Sequence, residues 1–207
     1  KIFFTNYTSM VDIILASSSE TRYTLLKRLL TKFRCEDPAI DESQNMGEQP
    51  RDLSLRLSRE KSMKIARTEP EAIVIGSDQV AICDGRILNK PGSIEEAAGQ
   101  LKWQLGKKTD FYTGLHLSKN TGLQNLSSVT KSSVYYHDKS IISDRNIDIY
   151  VKREKPINCA GGAKFETVGV SFIKHFESSD PTAILGLPLM ALCSHFIEWG
   201  IHPLDLK

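Results

Sequence analysis

The sequence lacks the features that mark membrane, secreted and zinc-cluster proteins. No apolar run approaches the roughly 18 residues that a membrane-spanning helix requires, so we expect no membrane partner. The four cysteines, Cys35, Cys83, Cys159 and Cys193, include no Cys-x-x-Cys pair, which is unfavourable for a zinc site or a disulfide framework. Reduced thiols of this kind predict a cytoplasmic protein.

A strong net charge is also missing. Lys and Arg total 27 against 25 Asp and Glu, a formal net charge of +2, which does not favour a nucleic-acid partner. An anionic small molecule would have to be held by local groups. With 207 residues and 40% hydrophobic content, the chain can bury one sizeable core, which favours one domain of two lobes.

The first nine residues resemble a targeting segment only in part. Lys1 and the apolar residues after it resemble the start of a signal sequence, but polar residues such as Thr5 and Asn6 interrupt the apolar stretch. We therefore predict no targeting signal. Residues 1–9 are interpreted as an extension, flexible or peripherally packed, and residues 10–207 as a single domain.

The central stretch is residues 73–91. Its β-branched run from Ile73 predicts a buried strand that Gly76 closes, with Asp78 directly after it. An acid at the carboxyl end of such a strand is a candidate for chemistry. A hairpin turn at residues 84–85 then leads back to Lys90. Taken alone, Asp78 could equally cap a turn and Lys90 could be solvated.

A second candidate is the serine run at residues 17–19. It follows the strand at residues 12–16 and precedes a leucine-rich helix, so it predicts a strand-to-helix turn. The hydroxyls of Ser17 and Ser19 and the guanidinium of Arg22 could hold a phosphate chain. The alternative is an ordinary serine helix cap.

Acidic and basic groups follow this turn. Asp41 and Glu42 form an acidic loop whose oxygens would suit a divalent cation. A helix over residues 51–67 carries Lys61. Its side chain could face the crevice expected at the carboxyl end of the Ile73 strand, where Asp78 lies. Either group could instead be solvated.

The remaining sequence predicts a mixture of helices and strands. We expect a helix capped by Ser93, strands over residues 110–118, 129–137 and 168–176, and a last helix from residue 187. Small residues at 159–163 predict a loop whose glycines allow close backbone approach, either to a ligand or in a plain connection.

Eight segments in order then identify a family. They are LASSSETR, the pair DE, REKSMKIA, IGSDQV, DGRILNKP, FYTGL, YVKREKP with NCAGGAKFE, and ILGLPLMALC. From about residue 13 to residue 204, the chain resembles the Maf nucleotide pyrophosphatases, or septum formation proteins. Within them it is most similar to the 7-methyl-GTP pyrophosphatase branch.

The resemblance implies a fold, a reaction and a cofactor. The fold would be α/β, with a mixed, twisted central sheet flanked by helices and a cleft between two lobes, similar to inosine triphosphatases. The enzyme would cut a nucleoside triphosphate between its α- and β-phosphates, releasing pyrophosphate with Mg²⁺ or Mn²⁺. A homodimer is implied as well.

The resemblance also implies roles for site residues. Asp78 would be catalytic, as general base or as a metal ligand, and Glu42 would be a second acidic ligand. Substrate phosphates would be bound by Ser17, Ser19, Arg22, Lys61 and Lys90.

Base specificity would depend on Thr21, Gln79 and Glu166. Gln79 and Glu166 match the 7-methyl-GTP branch, but Thr21 stands where that branch has tryptophan, Glu20 where the family has proline, and Tyr23 where many members have arginine. Two alternatives remain: a broader or pyrimidine-specific pyrophosphatase, or a nucleotide-binding regulator of cell division that has lost its activity.

Overall fold

The computed structural model describes residues 11–206, so the predicted extension at residues 1–9 lies outside the described residues. In this part of the chain the helices are α1 (Glu20–Leu26), α2 (Pro50–Ala66), α3 (Ile94–Gln104), α4 (Asp144–Glu154) and α5 (Leu189–Glu198). The strands are β1 (Ile13–Ala16), β2 (Arg34–Glu36), β3 (Ile73–Cys83), β4 (Arg86–Leu88), β5 (Lys108–Lys119), β6 (Gln124–Tyr136) and β7 (Ile173–Ser178).

The strands form one mixed sheet. Their order is β2-β1-β3-β5-β6-β7, and β4 pairs with β3. β1 lies parallel to both neighbours, with Ile14 opposite Arg34 of β2 and Val74 of β3. β4 is antiparallel to β3, and β7 is antiparallel to β6. The predicted mixed α/β fold with a central sheet flanked by helices is therefore confirmed.

The described chain divides into two compact units. The first comprises residues 11–78, 113–130 and 180–206, and the second comprises residues 79–112 and 131–179. Whether residues 10–207 form a single domain stays a prediction. No helix among residues 11–206 has the length and apolarity needed to cross a membrane.

In the first unit, β1 and the part of β3 up to Asp78 are buried on both faces. Because successive strand residues point to opposite sides, Ile13 and Leu15 join a cluster with Leu25 of α1 and Phe196 of α5. The alternate residues join a second cluster, made of Ile14, Ala16, Val74, Ile65, Ala66 and Ala72. Burial on both faces is typical of parallel strands inside an α/β sheet and explains their apolar sequence.

Two glycines allow α2 to lie unusually close to the sheet. A Cβ at Gly76 of β3 would be 2.1 Å from the carbonyl oxygen of Ser58, and a Cβ at Gly114 of β5 would be 2.2 Å from that of Ser54. The residues of α2 at this contact, Ser54, Ser58 and Ser62, recur every four positions and are fully buried. Their small size lets the helix backbone touch the strands.

This contact corrects one sequence prediction. The sequence predicts that Gly76 ends the strand that begins at Ile73, but β3 continues without interruption to Cys83. The glycine is needed because the α2 backbone lies against it, and not because the chain turns. Asp78 therefore lies within a long strand and not in a loop.

In the second unit, the predicted hairpin is confirmed. Asp84 and Gly85 both have positive φ angles, 50° and 75°, as a two-residue hairpin turn requires, and Cys83 pairs with Arg86. Ser93 caps α3 by accepting from the Glu96 N–H at 3.1 Å.

Other predictions for this unit change. The glycine loop packs on α3, since Gln104 Nε2 donates to the Gly161 carbonyl at 2.6 Å and a Cβ at Gly162 would lie 2.9 Å from the Ala97 carbonyl. The expected strand over residues 168–176 is wrong in its first half, because Val168–Phe172 is a 3₁₀ helix. There a Cβ at Gly169 would lie 2.3 Å from the Lys164 carbonyl oxygen, so the chain packs closely on itself before β7 begins.

Candidate active site

The serine turn and Arg22 are joined in the first unit. Ser17 Oγ accepts from the Ser19 N–H at 3.1 Å and from Arg22 Nη1 at 3.4 Å. Ser19 caps α1, its hydroxyl accepting from the Arg22 N–H at 3.4 Å. The predicted strand-to-helix turn is therefore present. The Ser17 hydroxyl contacts the guanidinium of Arg22, and the Ser19 hydroxyl binds its backbone N–H.

A carbonyl from a distant turn fixes the other side of Arg22. Arg22 Nε donates to the Gly186 oxygen at 2.8 Å. The hydroxyl of Ser77, fully buried on β3, lies 2.9 Å from the same oxygen and 2.7 Å from the Gly114 oxygen. Gly186 has a φ of +95°, a conformation that glycine adopts without strain. The turn thus links Arg22 to the residue that precedes Asp78.

A cluster of charged side chains surrounds Lys61. Its Nζ atom lies 2.5 Å from Asp78 Oδ1 and 2.5 Å from Glu42 Oε1. Lys61 and Asp78 are only 4% and 7% exposed, so each charge needs its partner, whereas Glu42 is exposed. Two carboxylates around one ammonium leave one net negative charge.

The acidic loop differs in one respect from the expectation. Glu42 reaches Lys61, but the Asp41 carboxylate accepts from the N–H and hydroxyl of Ser43 at 2.9 and 3.0 Å. These hydrogen bonds lower the pKa of Asp41. Asp41 and Glu42 therefore do not act as an adjacent pair, and the second acid near Glu42 is Asp78.

These two carboxylates can be tested against a divalent cation. Among residues 11–206, no three His, Cys, Asp or Glu side chains are grouped as a metal cage. Magnesium, however, is commonly held by one or two carboxylates together with waters and substrate phosphates. The oxygens of Glu42 and Asp78 on Lys61 are no farther apart than twice 2.5 Å, and their net negative charge also suits a cation.

In the second unit, Lys90 and Glu166 are both close enough to Cys159 to influence its thiol. Burial raises the pKa of Cys159, the Glu166 carboxylate raises it further, and Lys90 lowers it. Both charged side chains are themselves exposed. The backbone near Lys90 is fixed, because the Gly92 N–H donates to the Ile157 oxygen at 2.9 Å.

The other specificity candidates lie on regular elements. Gln79 is half-buried on β3, and Thr21 is half-buried as the second residue of α1. Tyr23 is exposed, with its ring 5.3 Å from that of Phe33. The specificity roles of Thr21, Gln79 and Glu166 stay predictions, as do the roles of Ser17, Ser19, Arg22, Lys61, Lys90, Glu42 and Asp78.

Two residues that shape this region were not selected from the sequence as site residues. Ser77 lies within the segment IGSDQV, directly before Asp78, and Gly186 lies within the segment ILGLPLMALC. Their contact spans 109 positions, so no local pattern could indicate it. The positive φ of Gly186 is the one property that its residue type could have suggested.

The sequence matches a known protein family. The family model described as Maf-like protein matches residues 12–199, and the chain belongs to this family. The predicted family is therefore confirmed.

Three relatives, each 40% identical over 192 residues, are named 7-methyl-GTP pyrophosphatase. They come from Bordetella pertussis (strain Tohama I), Bordetella parapertussis (strain 12822) and Bordetella bronchiseptica (strain RB50), and each match covers 93% of this chain and 94% of the relative.

Among solved structures, the chain is similar to the Staphylococcus aureus Ham1 protein, with a TM-score of 0.42 and 15% identity over 61% of this chain and 72% of that one. A HAM1 protein from Coxiella burnetii gives a TM-score of 0.39 and 13% identity over 61% and 73%.

Proposed function

We propose that this chain is a nucleoside triphosphate pyrophosphatase, a hydrolase that cleaves the anhydride between the α- and β-phosphates. The observation that carries the proposal is the buried Asp78, bound to Lys61, which also binds Glu42. The 40% identity to proteins named 7-methyl-GTP pyrophosphatase supports 7-methyl-GTP as the substrate.

In the proposed reaction, Asp78 is the base. Its carboxylate takes a proton from water, whose oxygen bonds to the α-phosphorus while the bond to the bridging oxygen breaks and pyrophosphate leaves. Lys61 orients Asp78 through its contact at 2.5 Å. Arg22 and Lys90 offset charge on the phosphate oxygens as the leaving group forms, and Ser17 and Ser19 orient Arg22.

A divalent cation, Mg²⁺ or Mn²⁺, would be held by Glu42 and Asp78 and would neutralise phosphate charge and lower the pKa of bound water. Glu42 is suited to this role because its carboxylate is exposed to solvent. Separating it from Lys61 therefore costs little free energy. Lys61 would then retain Asp78 as its partner.

The first prediction is that Asp78→Asn abolishes pyrophosphate release but leaves nucleotide binding measurable, because it removes the base and keeps the side-chain shape. Release should be measured with 7-methyl-GTP, GTP and UTP, and binding by calorimetry. Asp84→Asn is the matched control, since Asp84 lies exposed in the hairpin turn, where asparagine also tolerates a positive φ. Near-normal turnover by Asp78→Asn would exclude Asp78 as the base.

A second prediction concerns the base. Stacking of an aromatic ring on the cationic 7-methylguanine contributes about 0.5–2 kcal/mol to binding. Thr21 cannot make this contact. Selectivity for 7-methyl-GTP over GTP should therefore be lower than in relatives with tryptophan, by at most a few tens of fold. The exposed carboxylate of Glu166 and the amide of Gln79 would still favour the methylated base, by charge and by hydrogen bonding.

Comparing kcat/KM across the three nucleotides tests this. Thr21→Trp should raise the preference for 7-methyl-GTP over GTP, and Glu166→Gln should reduce it. Glu95→Gln, at another exposed glutamate of the second unit, serves as the control. If the parent favours UTP, the broader or pyrimidine-specific alternative, which Thr21 itself supports, replaces 7-methyl-GTP. If no triphosphate is cleaved, the inactive nucleotide-binding alternative is favoured.

The proposed setting is the cytoplasm, with a small-molecule partner and no nucleic acid. All four cysteines are free thiols, which supports a reducing compartment. A homodimer is also proposed from the family resemblance, and sedimentation of the purified chain would test it.

A further inference from the structure

The acidic loop, residues 41–48, is held to α2 by one arginine. Arg56 Nε and Nη2 contact the two carboxylate oxygens of Glu48 at 2.7 and 2.9 Å, a bidentate pair. Arg56 Nη2 also donates to the Ser43 carbonyl at 2.8 Å. The remaining Nη1 lies 3.2 Å from both oxygens of Glu60 on the same helix. The guanidinium of Arg56 therefore binds the loop at two residues, Ser43 and Glu48, which are five positions apart.

The loop is closed on itself between these points. Glu48 Oε2 accepts from the Asn45 N–H at 3.0 Å, and the Glu48 N–H donates to the Asn45 carbonyl at 3.1 Å. Gln44 Nε2 donates to the Glu48 carbonyl at 2.7 Å. These internal hydrogen bonds join residues 43–48 into one rigid segment. The contacts of Arg56 with Glu48 and Ser43 therefore fix the whole segment.

The contacts of Arg56 with the loop determine the position of Glu42. Glu42 directly precedes Ser43, whose carbonyl Arg56 binds, and its own carboxylate meets Lys61. Arg56 and Lys61 both lie on α2, the helix that Gly76 and Gly114 seat against the sheet. The helix thus fixes the backbone next to Glu42 with one side chain and the carboxylate of Glu42 with another.

We infer that Arg56 is a positioning residue for the reaction, acting through Glu42. This inference rests on the proposed function, in which Glu42 would hold the divalent cation together with Asp78. Arg56 touches no reacting atom; it keeps an exposed carboxylate, on an otherwise solvent-facing loop, at the place where Lys61 and Asp78 meet. A planar guanidinium is required, because a lysine ammonium cannot bind Glu48 in bidentate fashion and reach the Ser43 carbonyl at the same time.

The first test measures the loop without any substrate. In hydrogen exchange, Arg56→Gln should speed exchange of the hydrogen-bonded amides of Ser43, Asn45 and Glu48 at least about tenfold, as expected when a local segment opens more readily. Arg67→Gln, an exposed arginine at the end of the same helix, should leave these amides unchanged. Unaltered exchange in Arg56→Gln would overturn the inference.

The second test separates positioning from general destabilisation. Displacing a catalytic group by about 1 Å can cost on the order of 10²-fold, so Arg56→Gln should lower kcat/KM by roughly tenfold to a hundredfold. In a Glu42→Gln background the same change should cost less than about threefold, because the group that Arg56 positions is already lost. Arg56→Lys should not restore activity.

The outcomes distinguish two failures. An equal loss in both backgrounds, or rescue by Arg56→Lys, would show that Arg56 does not act through Glu42. A parent chain that releases no pyrophosphate from any triphosphate would instead defeat the proposed function, and the exchange measurement would still decide whether Arg56 holds the loop.

Discussion

Removing the charge of Lys61 should cost far more stability than removing an ordinary surface lysine. In Lys61→Met the side chain keeps its length, but Asp78, 7% exposed, becomes a buried carboxylate without its cation. Loss of one partner of a buried pair typically costs about 3–5 kcal/mol. Glu42, the other partner of Lys61, is exposed. Loss of the Lys61–Glu42 ion pair should therefore lower the free energy of unfolding by less than about 1 kcal/mol.

The buried pair can be isolated by a double-mutant cycle. Lys61→Met combined with Asp78→Asn removes both charges, so the double variant should be less destabilised than the sum of the single variants, by about 1–3 kcal/mol. Replacing both members of a buried pair is often nearly neutral, whereas removing one is not.

Urea unfolding provides the assay. Fluorescence of Trp103 and Trp199, one in each unit, should be followed together with circular dichroism, since coincident transitions justify a single free energy. Lys64→Met, an exposed lysine on the same helix, should change stability by no more than about 0.5 kcal/mol. If Lys61→Met is as stable as Lys64→Met, Lys61 does not neutralise a buried charge and the reasoning is refuted.

Two further perturbations test the packing around the site. Gly76→Ala puts a Cβ 2.1 Å from the Ser58 oxygen and should lower the free energy of unfolding in urea by about 3 kcal/mol or more. The control Gly99→Ala, whose Cβ would have no heavy atom within 4 Å, should raise it by about 0.5–1 kcal/mol. Equal stabilities of the two variants would contradict the close approach of α2. His116 is 1% exposed, with Nδ1 2.6 Å from Ser127 Oγ, and burial lowers its pKa to about 4. Because the unfolded chain takes up this proton near pH 6.5 and the folded chain only near pH 4, the free energy of unfolding should fall by about 3 kcal/mol between those values; His116→Gln should remove that part of the loss, and an unchanged pH dependence would count against it.

Local chemistry predicted much of this fold. The hairpin at Asp84 and Gly85, the Ser93 cap and the strand-to-helix turn at Ser17 all depend on residues within four positions of one another, where turn and capping preferences act. The helix expected over residues 51–67 is α2, Pro50–Ala66, because proline at its first turn and an apolar face mark it in the sequence.

What the sequence could not predict depends on contacts between distant segments. Gly76 looked like the end of a strand, because a glycine that ends a strand and one that admits a helix are the same residue. Likewise, the apolar run that suggested a strand from residue 168 gave no sign that Gly169 lies against the Lys164 backbone. For the site, Asp78, Lys61 and Glu42 could be selected as candidates from the sequence, but not their shared contact.

The position of α2 determines much of the charge arrangement in the first unit. One helix, placed by Gly76 and Gly114, carries Lys61 to Asp78 and Arg56 to the acidic loop. A shift of this helix would therefore move the partner of the catalytic candidate and the anchor of Glu42 together, although neither glycine touches a charged group. Mutations at the serine and glycine contact should for this reason reduce activity in proportion to the displacement of α2, even where the folded chain remains stable.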